Sequence, residues 1–456
     1  MTSNKQRWWL AFLAVLLACW PIYANRAESS MLLRDTDTDF LLKQIELRSD
    51  PWSWFAGDWP LQNHFYRPIS TLTFELDFAL HGLNAAGYGL TNAVVCILCV
   101  WALFWFAREL TDDPFLSAGC AVLFAIWHVD YGGYLAQLAI WIAPLVAFFG
   151  LCRHGFQFKQ WLGAPLVLWY LSDEIAGKMG LYGRMVAWLP GRTASVMALF
   201  ALIALAAYAR YERTGAEKRL GCQPSPLDPP STKSSEIKII AKSNILWMVV
   251  SAVGLLAALG SYEQAVMVPG ILFGIAVYYK LNGYKVRWGW QGLFWGILVG
   301  YLVVRSRLVP TEASGYQLQQ FRDGIGVLWS LMAYIAPGIG PLYNLFSTLD
   351  VGPLLWLTSG PYRSIAFAAG NAIAYWNAAK QWLLPFSGWV FSLLAFLPMA
   401  WLKHFEHYHY WPMALRSLFV VAMVLVALQL TKRALAPPAS LSPPRLAPAL
   451  GSLPRR

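Results

Sequence analysis

The chain has 456 residues, of which 57% are hydrophobic and only 13% charged, with 24 tryptophans and a net charge of +11. Soluble domains carry roughly 25% charged residues, and a mean hydropathy of +0.45 excludes an ordinary soluble enzyme. The basic residues sit in short clusters between apolar runs, where the positive-inside rule places them, so they read as topology signals and exclude a nucleic-acid surface.

In chain order, Lys5 and Arg7 precede an apolar run that begins at Trp8 and ends in Trp20-Pro21-Ile22-Tyr23-Ala24-Asn25. A secretory leader has a shorter apolar core followed by small residues. Residues 8–24 are therefore predicted to be a retained first membrane span, with the N-terminus in the cytoplasm. Residues 25–87 form a long outer segment, in which Ser70 to Leu83 is predicted to be an amphipathic helix lying on the membrane surface. A bilayer core takes about 20 apolar residues per helix, and further spans are expected at 88–107, 115–131, 134–152, 160–173 and 193–209. The loop 210–243 carries seven Lys or Arg against four acids, with several prolines, and is expected to be a flexible cytoplasmic linker. Spans at 244–260, 264–279 and 288–304 follow, then a region, 306–380, whose apolar runs are interrupted by Pro, Gly and polar residues, and finally spans at 382–401 and 411–430. The expected fold is an all-α polytopic membrane protein of about eleven to thirteen helices. Its membrane domain covers 1–430, and the basic, proline-rich tail 431–456 is expected to be disordered in the cytoplasm.

The six cysteines lie mostly in apolar runs without a pairing pattern. Cys96 and Cys99 have metal-motif spacing, yet they sit in the middle of an apolar helix with no second ligand pair and are expected to be small core residues.

On this topology Asp35, Asp37, Asp39, Arg67, Asp130, Arg192, Glu263, Arg305, Arg307 and Glu406 all fall at outer helix ends. Ionisable groups at such depth are costly unless they pair or face a wet cavity, so their gathering on one face predicts a polar site there. Seven of the 24 acids lie between the first span and Arg67. The alternating run Asp35-Thr36-Asp37-Thr38-Asp39, with Glu46 twelfth, has calcium-loop spacing, but Phe40 stands sixth, where the turn needs glycine. Two readings stay open: Asp39 caps a helix starting at Phe40, or Asp37 or Asp39 is a catalytic carboxylate. His404, His407 and His409 near Glu406 lack a second ligand set, and no metal is expected. Trp52, Trp54 and Trp59 read equally as an interfacial belt or a sugar-stacking surface.

Tyr66-Arg67-Pro68-Ile69-Ser70, with Leu80-His81-Gly82-Leu83 and Gly87-Tyr88-Gly89-Leu90-Thr91-Asn92, resembles the first-loop signature of the membrane O-mannosyltransferases that target cadherins and of their bacterial relatives. These belong to the GT-C superfamily of polyprenyl-phosphate-sugar-dependent glycosyltransferases. Downstream and in the same order, Val186 to Arg192 resembles the family's Gly-Arg turn, Ser261-Tyr262-Glu263-Gln264 its Lys-Glu motif, and Glu406-His407-Tyr408-His409-Tyr410-Trp411-Pro412 its Glu-Arg-Tyr ending. Alternating acids stand where the family has adjacent ones, Tyr262 replaces its lysine and His407 its arginine. His128-Val129-Asp130 resembles its His-x-Glu but stands well upstream, so that 134–152 and 160–173 would be an inserted helical hairpin. The tetratricopeptide repeats of the cadherin-directed members are not expected here, which makes a protein acceptor less expected, and outer loops that are short apart from the first and the 306–350 region favour a small or lipid-linked acceptor.

The resemblance implies an inverting glycosyltransferase that takes a sugar from a polyprenyl-phosphate donor to an acceptor hydroxyl on the extracytoplasmic face, with a bacterial inner membrane as the expected setting. Asp39 is the expected base with Asp37 as its partner. Arg67, Arg192, Arg305 and Arg307 are candidates for holding the phosphate, since arginine presents a planar donor fork. For Arg305 and Arg307 interfacial anchoring is the alternative. Glu263 would receive a sugar hydroxyl, orient an arginine or cap a hairpin, and His128, Asp130, Glu406 and Tyr408 complete the expected substrate contacts. The scheme requires no cofactor. A transporter of lipid-linked sugars and a non-catalytic scaffold of the same fold are the alternatives.

Overall fold

Away from water every backbone group must find a partner within the chain, and the helix is the local solution for a long apolar run. A computed structural model describes residues 4–26, 35–48, 50–129, 131–154, 163–176, 185–221, 233–322, 324–335, 383–403 and 405–435. Asp130, His404, the proline-rich centre of the linker, residues 336–382 and the tail from 436 lie outside them. The helices are α1 (Asn4–Ala24), α2 (Thr36–Leu47), α3 (Pro68–His81), α4 (Ala85–Thr111), α5 (Pro114–Trp127), α6 (Gly132–His154), α7 (Gly163–Ala176) and α8 (Arg192–Gly221). They continue as α9 (Lys233–Leu259), α10 (Val268–Leu281), α11 (Gly289–Leu308), α12 (Gly315–Gln320), α13 (Gly324–Ile335), α14 (Leu383–Phe396) and α15 (Tyr410–Leu435). Short 3-10 turns, Glu263–Met267 and Glu406–His409, lead directly into α10 and α15.

The chain is an all-α polytopic membrane protein. Among the described residues, seven stretches are long and apolar enough to cross a membrane: Asn4–Ala24, Ala85–Thr111, Gly133–Cys152, Arg192–Thr214, Glu263–Leu281, Leu383–Trp401 and Glu406–Lys432. The shorter apolar helices Pro114–Trp127 and Ile245–Leu259 and the 20-residue α11 stand where further spans are expected. The described flanks of the linker are helical, because α8 runs on to Gly221 and α9 begins at Lys233. Ala, Glu, Lys, Arg and Leu in those flanks are strong helix formers. For the same reason α15 extends to Leu435, past the expected end of the last span.

In the bundle α8 packs on α9 and α4, α14 on α15, and α6 on α7. The α6–α7 hairpin also meets α15, where Arg416 donates to both oxygens of Glu174, from Nε at 3.1 Å and Nη2 at 2.6 Å. Polar groups collect at the two ends of the helices. At the C-terminal end of α4, buried Glu109 pairs with Arg210 at 3.1 Å and Arg213 at 2.8 Å. Asn92, which touches Arg192, lies seventeen residues before Glu109 on α4, about 25 Å along a helix.

The long segment after α1 is a packed unit. Leu41, Leu42 and Ile45 of α2, Trp54, Trp59, Phe74 of α3, Tyr88 of α4 and Leu189 form a second apolar core. Trp54 and Trp59 are thus core residues; only Trp52 is exposed. α3 forms where expected, with Phe74 buried and Leu76 and Leu80 exposed. Its signature glycines have local physical reasons. Gly82 ends α3 at a φ of +57°, a conformation unfavourable for a side chain. Its carbonyl accepts from the Tyr88 hydroxyl at 2.7 Å, and a Cβ on Gly87 would collide with the ring of His81.

Candidate active site

The site is built where α3 meets the α9–α10 turn. Pro68 lacks an N–H and is pre-set for the first helical turn, so the chain enters α3 immediately after Arg67. Ile69 N–H then donates to the Gly260 carbonyl at 2.9 Å, and Ser70 Oγ to the Ser261 carbonyl at 3.0 Å. These bonds bring Arg67 against Glu263, 196 residues away. Arg67 Nε lies 3.1 and 3.0 Å from the two carboxylate oxygens, and Nη2 is 2.6 Å from Oε2. Nη1 takes no part in that pair. The guanidinium also lies 4.3 Å from the centre of the Trp59 ring, 4.1 Å from Phe65 and 4.4 Å from Tyr262. Burial alone would lower the Arg67 pKa, but the Glu263 charge more than offsets it, so the group is held above its ordinary value and stays charged.

Asp58 shapes the loop beneath this pair, its carboxylate accepting from the N–H groups of Trp59 (2.8 Å), His64 (2.7 Å) and Phe65 (2.9 Å). On the far side Gln264 Nε2 donates to the carbonyls of Ala395 at 2.8 Å and Tyr408 at 3.0 Å, which holds the Glu406–His409 turn beside the pair. Tyr408 is buried within electrostatic reach of Arg67, Glu263, Tyr262 and Tyr316, and Glu406 is half-buried at the start of the same turn. His407 packs on Tyr408, Phe405 and Trp188, whereas His409 stacks on Phe396 and Tyr334. The two rings therefore face different surroundings.

The aspartate run is organised differently from the expected cap. Asp35 caps α2, with Oδ1 accepting from Thr38 N–H at 2.8 Å and Oδ2 from the Thr38 hydroxyl at 2.7 Å. Asp37 and Asp39 are both exposed in the first turn. Residues two apart on a helix are turned by about 200° and do not face each other, so Asp37 and Asp39 are not placed as partners. Asp37 is the one whose charge reaches Tyr316, which in turn reaches Arg67.

Arg305 extends to the same region, its Nη2 3.3 Å from the His64 carbonyl. Arg307, two residues on, is exposed. Two expected substrate contacts lie instead in the core. Arg192 is fully buried, with Nη1 2.6 Å from Asp77, Nε 2.5 Å from Asn92 Oδ1, and Nη groups 3.3 and 3.2 Å from the Thr73 and Tyr88 carbonyls. A guanidinium so enclosed braces α3, α4 and α8, its donors directed to groups of the protein itself. His128 is also fully buried. Its Nδ1–H donates to the Phe124 carbonyl at 2.8 Å, leaving Nε2 to accept from the Tyr410 hydroxyl at 3.0 Å. Its hydrogen-bonding capacity is spent on holding α5 to α15.

The structure thus brings together Arg67, Glu263 and Tyr408, with Arg305 at their edge and Asp37 connected to them through its electrostatic reach to Tyr316. Beside this group opens an apolar cavity of about 520 Å³ between α9 and α11, lined by Phe55, Ile69, Leu256, Ile297 and Val304, with Tyr66 and Tyr301 toward Arg67. These tyrosine rings lie 6.1 Å apart.

Over 108 residues the chain is 31% identical to the Drosophila melanogaster protein O-mannosyl-transferase Tmtc3. The likeness is to a mannosyltransferase, over one segment. It covers 21% of this chain and 12% of that protein. No family model matches the chain, and no solved structure does. Asp77, Tyr262 and Tyr316 were not singled out as site or bracing residues by sequence reasoning. Asp77 sits on an amphipathic face, where one acid every turn is unremarkable, and Tyr316 lies in a region without a clear helical period.

Proposed function

We propose that the chain is a membrane glycosyltransferase that moves one sugar from a polyprenyl-phosphate donor to an acceptor hydroxyl, at the extracytoplasmic face and with inversion at the anomeric carbon. The observation that carries this reading is an apolar cavity whose lining includes Tyr66 and Pro68, on either side of the buried, charged Arg67 in the chain, and Tyr301, which lies within electrostatic reach of it. An isoprenoid phosphate has those two parts, a long apolar chain and an anion, and a volume of about 520 Å³ lies within the usual range of ligand pockets. The partial relative, a protein O-mannosyl-transferase, agrees with the reading and makes mannose the first sugar to test.

In this scheme Asp37 takes the proton of the acceptor hydroxyl as its oxygen attacks the anomeric carbon. The bond from that carbon to the phosphate oxygen breaks, and the lipid phosphate leaves with increased negative charge. Arg67 stabilises that charge. Glu263 grips its Nε edge and leaves Nη1 to face the phosphate, so Glu263 is a positioning residue. Arg305 adds a second positive charge at the rim. All-α GT-C-like architecture with the site at the outer helix ends is part of the same proposal.

The test supplies purified protein in lipid discs with labelled polyprenyl-phosphate mannose, glucose or arabinose. Release of sugar from the lipid that depends on Asp37 supports the enzyme. Movement of intact lipid across vesicles without release indicates a transporter, and neither event leaves a scaffold; both outcomes overturn the proposal. Arg67→Lys is expected to lower kcat/KM for the donor by about tenfold or more, since lysine cannot grip Glu263 and a phosphate through two edges at once. Unaltered kcat/KM would remove Arg67 from phosphate binding.

A further inference from the structure

Between α11 and α13 the chain crosses the site as a strap tied at both ends. At its near end the Glu312 carbonyl accepts from His64 Nδ1 at 2.9 Å and Ser314 Oγ donates to the Asn63 carbonyl at 3.3 Å. A capping box then starts α12: Gln317 N–H donates to Ser314 Oγ at 3.2 Å and Ser314 N–H to Gln317 Oε1 at 3.0 Å. At the far end Lys403 N–H donates to the Gln320 carbonyl at 2.7 Å, Phe321 and Leu402 form an antiparallel bridge, and Arg322 N–H donates to the Trp401 carbonyl at 2.9 Å. The strap therefore joins the loop beneath Arg67 to the loop that leads into the Glu406–His409 turn.

Tyr316 is carried on the strap in the second position of α12 and is 46% exposed. It lies within electrostatic reach of Asp37, Arg67, Tyr262 and Tyr408. An in-line displacement sets base, acceptor oxygen, anomeric carbon and phosphate along one path. A group within reach of both the base and the phosphate-binding arginine stands beside that path, where the sugar lies. Tyrosine suits that place, because its ring covers the C–H face of a sugar while its hydroxyl donates to or accepts from a ring hydroxyl.

We propose that Tyr316, held by the strap across the site, is a specificity-determining residue that receives the transferred sugar and selects it through a hydrogen bond from the phenol, with Tyr262 and Tyr408 forming the opposite wall. This rests on the glycosyl-transfer reading above. The Tyr316 ring orders the sugar and its hydroxyl distinguishes epimers, because an epimer that turns the contacted hydroxyl away leaves the phenol without its partner.

The test measures kcat/KM of full-length wild type, Tyr316→Phe and Tyr316→Ala on polyprenyl-phosphate mannose, glucose and arabinose, with thermal unfolding as a control. Tyr316→Phe is expected to unfold as wild type does and to lower turnover of the preferred sugar about tenfold, the effect of one lost hydrogen bond. The other donors should change little, so the preference collapses toward one. Tyr316→Ala should slow all donors by removing the ring as well. An equal fall for every donor in Tyr316→Phe marks a structural role and overturns the inference, as does an unchanged preference. If wild type releases sugar and only the preference test fails, the glycosyl-transfer reading stands alone. If wild type releases no sugar from any of the three, both fall together.

Discussion

Asp37→Asn is expected to lower sugar release by roughly a thousandfold, within the range for loss of a general base, while Asp39→Asn stays within about twofold of wild type. The contrast follows from the helix that carries them. Asp35, and neither of the other two, caps α2, so neither substitution unties the helix start. Asp39 contributes only a favourable charge near the N-terminus, worth a few tenths of a kcal/mol. Thr38 between them is buried and bonded to Asp35 through both its N–H and its hydroxyl. That anchor sets the rotation of the first turn and directs Asp37 toward Tyr316. Turnover of both variants on a labelled donor decides the matter. An inactive Asp39→Asn beside a fully active Asp37→Asn would restore the order expected from the sequence and discard the geometric one.

The second large effect concerns stability. Asp77→Asn is expected to destabilise the protein by about 3–5 kcal/mol, the usual cost of removing one partner from a buried ion pair. Arg192 and Asp77 are essentially without solvent contact and 2.6 Å apart. With the carboxylate gone, the guanidinium would keep only the oxygens of Asn92, Thr73 and Tyr88 as acceptors, which are dipoles and not a charge. Arg192→Met should be as harmful, because it strands Asp77 with Thr91 as its remaining hydrogen-bond donor, at 2.7 Å. The double variant Asp77→Leu with Arg192→Met leaves no buried charge and is expected to recover most of the loss. Thermal unfolding in detergent measures all three. Near-wild-type stability of Asp77→Asn would show that Arg192 is free to turn toward a substrate, as the sequence reading had it.

What could be read in the residues alone divides along physical lines. The gathering of Arg67, Glu263 and Tyr408 in one place was legible because each stands in a motif next to a helix boundary, where a charge must meet either water or a partner. Arg192 and His128 satisfy the same rule and yet turn inward, since a linear pattern places a residue at a helix end without saying which side it faces. Asp77 decides the fate of Arg192 and gave no sign, being one polar residue on a helix with an exposed face. Tyr316 was hidden for a different reason: its six-residue helix depends on ties to loops at residues 63–64 and 401–403, far from it in sequence.

The amino-acid sequence was sufficient for the class of molecule, an all-helical membrane protein, and for the position of most of its spans. Apolar length and period are local properties, and a membrane-spanning helix satisfies its backbone within itself. Packing set the surroundings of each charge: Arg67 gripped by Glu263, Arg192 sealed against Asp77, and Asp37 within electrostatic reach of Tyr316. Those outcomes depend on contacts between residues as much as 196 positions apart, and on the rotation of one capped turn, which no linear spacing encodes.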